Sequence, residues 1–341
     1  MIQRRQFVAG ACAAGLAAPA IVRAQTSYRS EYRLSLTPGP GTAWYNASEN
    51  FTKLVKERTA GRINIRMYPG SSLVQGAQDR ELAALRQGTI DFLVGPGDSW
   101  SGTVKDLLVL GLPLLMPNSQ AVDAVLASDA LNKDFYAIFR KAGMEPLGSG
   151  EYGFVQLING KRRVAKPADM VGMKIRVVAS PMQQDIMNAF KANPTSMSWA
   201  DAQSALASGA IDGLELTMEQ VMAVKVYSLG LKNITRWNLR NTLLHFGCGN
   251  GVFKTFTPED QEILRKAGQE AAAGLTRNVR QLADSSEGEL KAQGVDVYTP
   301  NAAEMQEWQT PMKPVFEKWK KATNPELVGK IEAVVAQSAK R

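Results

Sequence analysis

From Tyr32 onward, short runs of apolar and β-branched residues alternate with longer segments whose apolar positions recur every three or four residues. That is the pattern of strands interleaved with helices. "EYRLSL" predicts a strand, a helix follows from about Trp44 to Glu57 and stops before Gly61, and "RINIRMYPG" predicts the next strand. "QDRELAALRQG" predicts a helix closed by glycine and "TIDFLVG" another strand. The stretch "NSQAVDAVLASDALNKDFYAIFRKAG" predicts one helix, capped at Asn118 or Ser119 and closed at Gly143. A second series begins with "MEPLGSG" and "GFVQLIN". It continues through "MKIRVV", a helix from Pro181 to Lys191, the helix "WADAQSALASG" and the strand "AIDGLEL". Strand-helix-strand order of this kind predicts the α/β class, and its repetition predicts two α/β units. "LRQGTIDF" in the first series and "LASGAIDG" in the second echo each other as helix end, glycine and strand start.

Near the end, "TPEDQEILRKAGQEAAAGLTRNVRQLADSSEGELKAQG" predicts an unusually long helix. Thr257 is its cap, Pro258 its first residue, and acidic residues fill the first turn. Its apolar positions fall at Ile263, Ala267, Ala271, Leu275, Val279 and Leu282, one face of a 3.6-residue period. A helix of this length can lie along both units and brace their relative motion, with "GVDVYTP" and "MQEWQTPMKPVFEKWKK" packing after it.

The first residues follow a different logic. "MIQRRQFVAGACAAGLAAPAIVRAQ" combines Arg4-Arg5, an apolar run from Phe7 to Val22 and small residues at Val22-Arg23-Ala24. This predicts a secretory signal cleaved after Ala24, of the twin-arginine type, and hence a periplasmic protein. Removing Arg4, Arg5 and Arg23 takes 40 basic residues to 37 against 32 acidic ones, a net charge of +5 in place of +8. The basic residues are scattered and no aromatic-basic motif accompanies them, which favours small anionic ligands over nucleic acid. With Cys12 gone, Cys248 is the single cysteine and no internal disulfide can form. The one histidine, His245, sits in the apolar run "LLHFGCGN" and reads as a core residue beside a structural thiol. A His/Cys metal cluster is impossible, a Ser-His-Asp triad would have to use His245 itself, and no P-loop, HExxH or GxSxG motif occurs. Neither a cofactor nor a metal is expected. "PGPG" at 38–41 and "GPG" at 95–97 follow strands and fall where the lip of a pocket would be. An exported, two-unit chain without catalytic machinery reads as a binding protein.

Within "GMKIRVVASP", Arg176 lies near the carboxyl end of a predicted strand, where open α/β sheets place their ligands. By strand alternation it shares a face with Lys174, so it either meets a ligand or points to solvent beside that lysine.

Five segments, in order, resemble the DctP-type extracytoplasmic solute-binding proteins of tripartite ATP-independent periplasmic (TRAP) transporters. They are "RINIRMYPGSSL" with "ELAALRQGTIDF", "GFVQLINGKRRVAKPADMVGMKIRV", "ANPTSMSWADAQSALASGAIDGLE" and "FKTFTPEDQEIL". The resemblance runs from about Tyr32 to Lys320. It implies a two-domain periplasmic-binding-protein-like α/β fold, with hinge strands and a long domain-spanning helix, that closes on a carboxylate-bearing solute and delivers it to a membrane permease. On that basis residues 1–24 form the signal, residues 25–150 with about 240–280 one lobe, and residues 151–239 with about 281–341 the other. The resemblance puts Arg176 on the ligand carboxylate, where a planar guanidinium offers a bidentate fork. It makes Trp199 a pocket wall, or else a core residue at a helix start. Glu215 matches a glutamate that either faces the ligand or caps and bridges the lobes, and Trp237 matches a pocket side chain. Val155 stands where many relatives carry a second ligand-facing arginine, leaving Gln156 as the nearest polar substitute, and Leu216 stands where relatives often have asparagine. Both departures predict a less polar site and a monocarboxylate with an apolar or aromatic body. The expected partners are that acid and a TRAP permease, with the receptor itself a monomer and not an enzyme. The other readings are an ABC-type or chemosensory receptor, and a periplasmic enzyme acting on a small acid.

Overall fold

A single strand holds the fold together. In the computed structural model, which describes residues 28–340, the segment Met144–Asn159 is one continuous 16-residue strand belonging to two sheets. Ten strands are found among the described residues: β1 (Tyr32–Ser35), β2 (Ile65–Tyr68), β3 (Phe92–Pro96), β4 (Met144–Asn159), β5 (Lys174–Val177), β6 (Asn193–Ser196), β7 (Gly213–Thr217), β8 (Asn233–Thr235), β9 (Asn241–Gly249) and β10 (Asp296–Tyr298). They lie in the order β2-β1-β3-β9-β4-β7-β5-β6, with β8 on β4 and β10 on β8. β1 pairs in parallel with β2 and β3, and β5 pairs in parallel with β6 and β7. Each α/β unit therefore has its own parallel sheet, as the alternation of strands and helices requires.

β4 makes the crossing. Its residues from Met144 to Phe154 pair antiparallel with β9, and those from Val155 to Asn159 pair with β7 and β8. The sequence pattern predicts two strands here, because "GSGEYG" reads as a break. The chain bends there without breaking: the register shifts at Pro146/Gly148 and at Glu151/Gly153, and Gly153 takes φ 110°, a left-handed value that disfavours side chains. The chain crosses back between β8 and β9, and crosses once more in the helix Pro258–Ala292.

That helix starts as expected, with the Thr257 hydroxyl accepting from the Asp260 amide and Pro258 in the first turn. It runs 35 residues and buries Leu264, Ala267, Ala271, Leu275 and Val279, while Ile263 and Leu282 are only half-buried. Glycines and alanines let it lie directly on β4. A Cβ at Gly148 would stand 2.6 Å from the Gly268 backbone, and one at Gly150 would stand 2.3 Å from the Ala272 carbonyl oxygen.

The stretch predicted as one helix from Asn118 is two, Ser119–Leu126 and Asp129–Lys141. Asn118 caps the first by accepting from the Ala121 amide. Ser128 caps the second by accepting from the Leu131 amide, and an internal cap of this kind ends the preceding helix. The C-terminal helices join the units rather than serving one. Trp319, in Met312–Ala322, donates its Nε1–H to Asp185 at 2.7 Å. The last helix, Pro325–Ser338, packs on Ser119–Leu126, where Gln120 donates to the Ser338 carbonyl at 2.7 Å. Ser119–Leu126 belongs to the first series, so residues 281–341 do not pack on the second unit alone.

His245 is a core residue on β9. Its ring lies 4.8 Å from that of Phe139, its Nδ1 is 2.8 Å from the Ser149 hydroxyl, and burial pushes its pKa down to about 3. Cys248 is buried on the same strand among Tyr32, Phe92 and Phe246, and burial raises its thiol well above the ordinary range. The signal reading of residues 1–24, with Cys12 and the twin arginines, lies outside the described residues. Among the described residues, no helix is long and apolar enough to cross a membrane.

Candidate binding site

The carboxyl ends of β1, β3, β5 and β7 converge on one cleft between the two sheets, with a cavity volume of about 90 Å³. The "PGPG" and "GPG" turns are part of its lip: Pro38 of the first lines it with the flanking Thr37 and Thr42, and Pro96 of the second with the following Asp98 and Ser99. β5 brings Arg176 and Val178, the start of the helix Trp199–Ala207 brings Trp199, and β7 brings Glu215 and Leu216. The crossing segments bring Tyr152, Val155 and Arg240.

Arg176 is 7% exposed, whereas Lys174, two residues earlier on β5, is exposed, so the pair does not share a solvent face. The Arg176 Nε donates to the Met197 carbonyl at 3.2 Å, and its guanidinium carbon lies 6.0 Å from the centre of the Trp199 ring. Among the described residues no carboxylate reaches salt-bridge distance of Arg176, and its Nη2 is buried without a hydrogen-bond partner. Burial lowers its pKa well below the ordinary arginine range, to about 10, with only the more distant Asp98 charge pulling the other way. A buried, unpaired guanidinium is costly unless an anion meets it.

The second guanidinium in the cleft is differently placed. Arg240 is 4% exposed and donates from Nη1 to Asp98 Oδ2 at 3.0 Å and from Nη2 to Glu215 Oε2 at 2.9 Å. Burial alone would lower its pKa, but the two carboxylates outweigh burial and raise it. Gln183 donates to Asp98 Oδ2 at 2.7 Å, extending this network from β3 to the helix Pro181–Ala189.

Contacts of this kind close the cleft. Trp199 donates its amide to Gln78 Oε1 at 3.2 Å, Ser101 and Ser180 hydroxyls meet at 3.2 Å, and Ala43 donates its amide to Glu219 Oε1 at 2.6 Å. Each links an element of the first series to one of the second.

Arg176, Trp199 and Glu215 thus line one cleft, and two other expected site residues do not. Trp237 is fully buried outside it, stacked 5.5 Å from Phe190 and edge-on to Trp308, with its Nε1–H donated to the Val155 carbonyl. The two large aromatic rings supply a better environment for it than a hydrated cleft would. Gln156 follows the strand alternation: Val155 faces the cleft, so Gln156 faces away and donates to Asn238 Oδ1 at 2.7 Å. The polar group beside Val155 is Arg240, whose carbonyl accepts from the Val155 amide, so a guanidinium reaches the cleft from the neighbouring crossing segment. Arg240, Asp98 and Gln183 are among the cleft residues that the sequence pattern does not single out. Asp98 directly follows the flagged "GPG" turn, and Arg240 is a lone charge before an apolar run, so position alone could have raised both.

The family profile described as bacterial extracellular solute-binding protein, family 7 (DctP), matches residues 34–322. Among solved structures, a TRAP periplasmic solute-binding protein from Ralstonia eutropha H16, with bound (S)-2-acetolactate, is 42% identical. It superposes with a TM-score of 0.88, over 91% of this chain and 100% of that one. The protein y4mM of Sinorhizobium fredii is 35% identical over 67% of this chain, which spans only 42% of that relative's length. The 2,3-diketo-L-gulonate-binding periplasmic protein YiaO of Escherichia coli is 26% identical over 74% of this chain and 76% of its own.

Proposed function

The chain belongs to the DctP family of bacterial extracellular solute-binding proteins, and on that premise we propose that it is the periplasmic receptor of a TRAP transporter for a small organic monocarboxylate. The observation that carries this reading is Arg176, a buried guanidinium in a closing cleft that lacks a counter-ion among the described residues. A ligand carboxylate supplies that counter-ion and the acceptors for its unused N–H groups. Binding then offsets the desolvation of Arg176 and favours the closed state, the form in which the receptor meets its permease.

One carboxylate fits better than two. Arg240 is already paired with Asp98 and Glu215, so a second ligand carboxylate would face two anions instead of a free cation. Val155, Val178, Leu216, Val224 and the rings of Trp44 and Trp199 line the rest of the cleft and suit a compact, partly apolar body. The acetolactate held by the Ralstonia protein is a short, branched monocarboxylate of this kind.

Family members and structural neighbours are binding proteins, and the enzyme reading has little to work with, since His245 is enclosed by Phe135 and Phe139. We take the receptor to act as one copy with a membrane permease as its partner and no cofactor. The test is native mass spectrometry of the purified mature protein, followed by calorimetric titration with short organic acids. One organic acid bound per chain, recovered chemically unchanged after prolonged incubation, supports a receptor. Conversion of the bound acid would establish an enzyme, and indifference to every carboxylate would remove the reading.

A further inference from the structure

Four polar atoms of the cleft residues are buried without hydrogen-bond partners among the described residues: Arg176 Nη2, Arg240 Nε, Glu215 Oε1 and the Tyr152 hydroxyl. Each belongs to a side chain that lines the cleft. The two guanidinium nitrogens are donors, the carboxylate oxygen is an acceptor, and the tyrosine hydroxyl can be either. Buried polar atoms are normally satisfied, so a set left open around one cavity describes the complement of what fills it. A bare carboxylate offers only acceptors. It can serve Arg176 and Arg240, but it leaves Glu215 Oε1 facing it without a proton between them, at a cost in repulsion and desolvation.

We infer that Glu215, held in place by Arg240, is the specificity-determining residue of this cleft and selects monocarboxylates that carry a hydroxyl close to the carboxylate. The ligand hydroxyl donates to Glu215 Oε1, and a ligand oxygen accepts from Arg240 Nε–H. Arg240 fixes the choice of oxygen: its Nη2 occupies Glu215 Oε2 at 2.9 Å, leaving Oε1 as the free acceptor. Asp98 holds Arg240 from the other side, so the glutamate cannot turn to satisfy both oxygens on one guanidinium. The inference rests on the carboxylate-receptor reading and deepens it: Arg176 takes any carboxylate, and Glu215 chooses among them.

A matched set of three acids tests it, with isovalerate, α-hydroxyisovalerate and α-ketoisovalerate titrated calorimetrically into the mature protein. Wild type binds the hydroxy acid more tightly than either of the others, by about tenfold to a hundredfold, the range of a hydrogen bond to a charged group. Glu215→Gln keeps its amide oxygen on Arg240 and presents an NH₂ where Oε1 stood, so its preference swings to the keto acid. Arg176→Ala weakens all three acids alike and leaves their order unchanged. Thermal melts of both variants show that each is folded. If wild type binds hydroxy and unsubstituted acids equally, or if Glu215→Gln retains the wild-type order, the inference fails while Arg176-dependent binding keeps the receptor reading intact. If Arg176→Ala has no effect on any of the acids bound, the receptor reading fails and the inference with it.

Discussion

Replacing Arg176 with methionine should make the empty receptor close. In the closed cleft the guanidinium is buried and lacks a carboxylate partner, and its pKa falls well below the ordinary arginine range, to about 10. At 1.36 kcal/mol per unit, that shift corresponds to about 3 kcal/mol against burying the charged group. Part of the burial comes from Arg176's own sheet and persists when the lobes separate, so about 1–3 kcal/mol falls on closure itself. That range corresponds to roughly fivefold to 150-fold in the closed-to-open ratio. Methionine keeps an apolar stem of similar reach and removes the charge, and with it the penalty. Small-angle X-ray scattering reads the result directly. Ligand-free wild type should be expanded and should contract on saturation with its acid, whereas ligand-free Arg176→Met should already have the contracted dimensions and ignore the acid. A methionine variant as expanded as ligand-free wild type would refute the idea that this buried charge holds the lobes apart.

The remaining predictions concern stability. His245 is held near 3 by burial while an exposed histidine titrates near 6.5, so the unfolded chain takes up the extra proton first and stability falls by about 2 kcal/mol as pH drops from 6.5 to 5. His245→Asn should lose that part of the slope in urea denaturation, and an unchanged slope would place the titration elsewhere. Glu81 acts in the opposite sense: burial raises its pKa to about 7, against a hydrogen bond from the Ser35 hydroxyl, so the folded state keeps a proton that the unfolded state gives up above its ordinary value. Stability from this group therefore falls as pH rises through that window, and Glu81→Gln should gain about 3 kcal/mol on wild type between roughly pH 5 and pH 8; a gap independent of pH would contradict it. Trp237→Ala should cost about 3–5 kcal/mol of folding stability, with the affinity of the folded protein nearly unchanged, as measured by denaturation and calorimetry together. A selective loss of affinity at full stability would return Trp237 to the site.

The parts of this fold carried by local rules are legible in the sequence. Thr257-Pro258 with two acids begins the long helix, Asn118 caps where expected, and alternating strands and helices give two sets of parallel strands. The misreadings arise where tertiary contacts decide. "GSGEYG" looks like a break, yet Gly148 and Gly150 are there because the long helix passes within van der Waals reach of the strand, something no local pattern reveals. The same holds for the site. Arg176 is visible because a charge in an apolar strand near its carboxyl end has few other uses. Arg240 is hidden because its role depends on two carboxylates, Asp98 and Glu215, which are 142 and 25 residues away in sequence. Gln156 and Trp237 were placed by position in a family pattern, and one-residue alternation along β4 and an aromatic cluster put both elsewhere.

Calorimetric titration of Arg176→Ala beside Lys174→Ala, with the acid that wild type binds most tightly, tests the central claim most directly. The two residues lie on one short strand, and one is buried in the cleft while the other faces water. Losing one side of a buried, hydrogen-bonded charge pair costs about 3–5 kcal/mol, so Arg176→Ala should weaken binding by on the order of 10² to 10³ or more, with Arg176→Lys recovering part of it. Lys174→Ala should change affinity by well under tenfold, the effect of an exposed charge. Small, equal losses in the two alanine variants would mean that Arg176 does not hold the ligand.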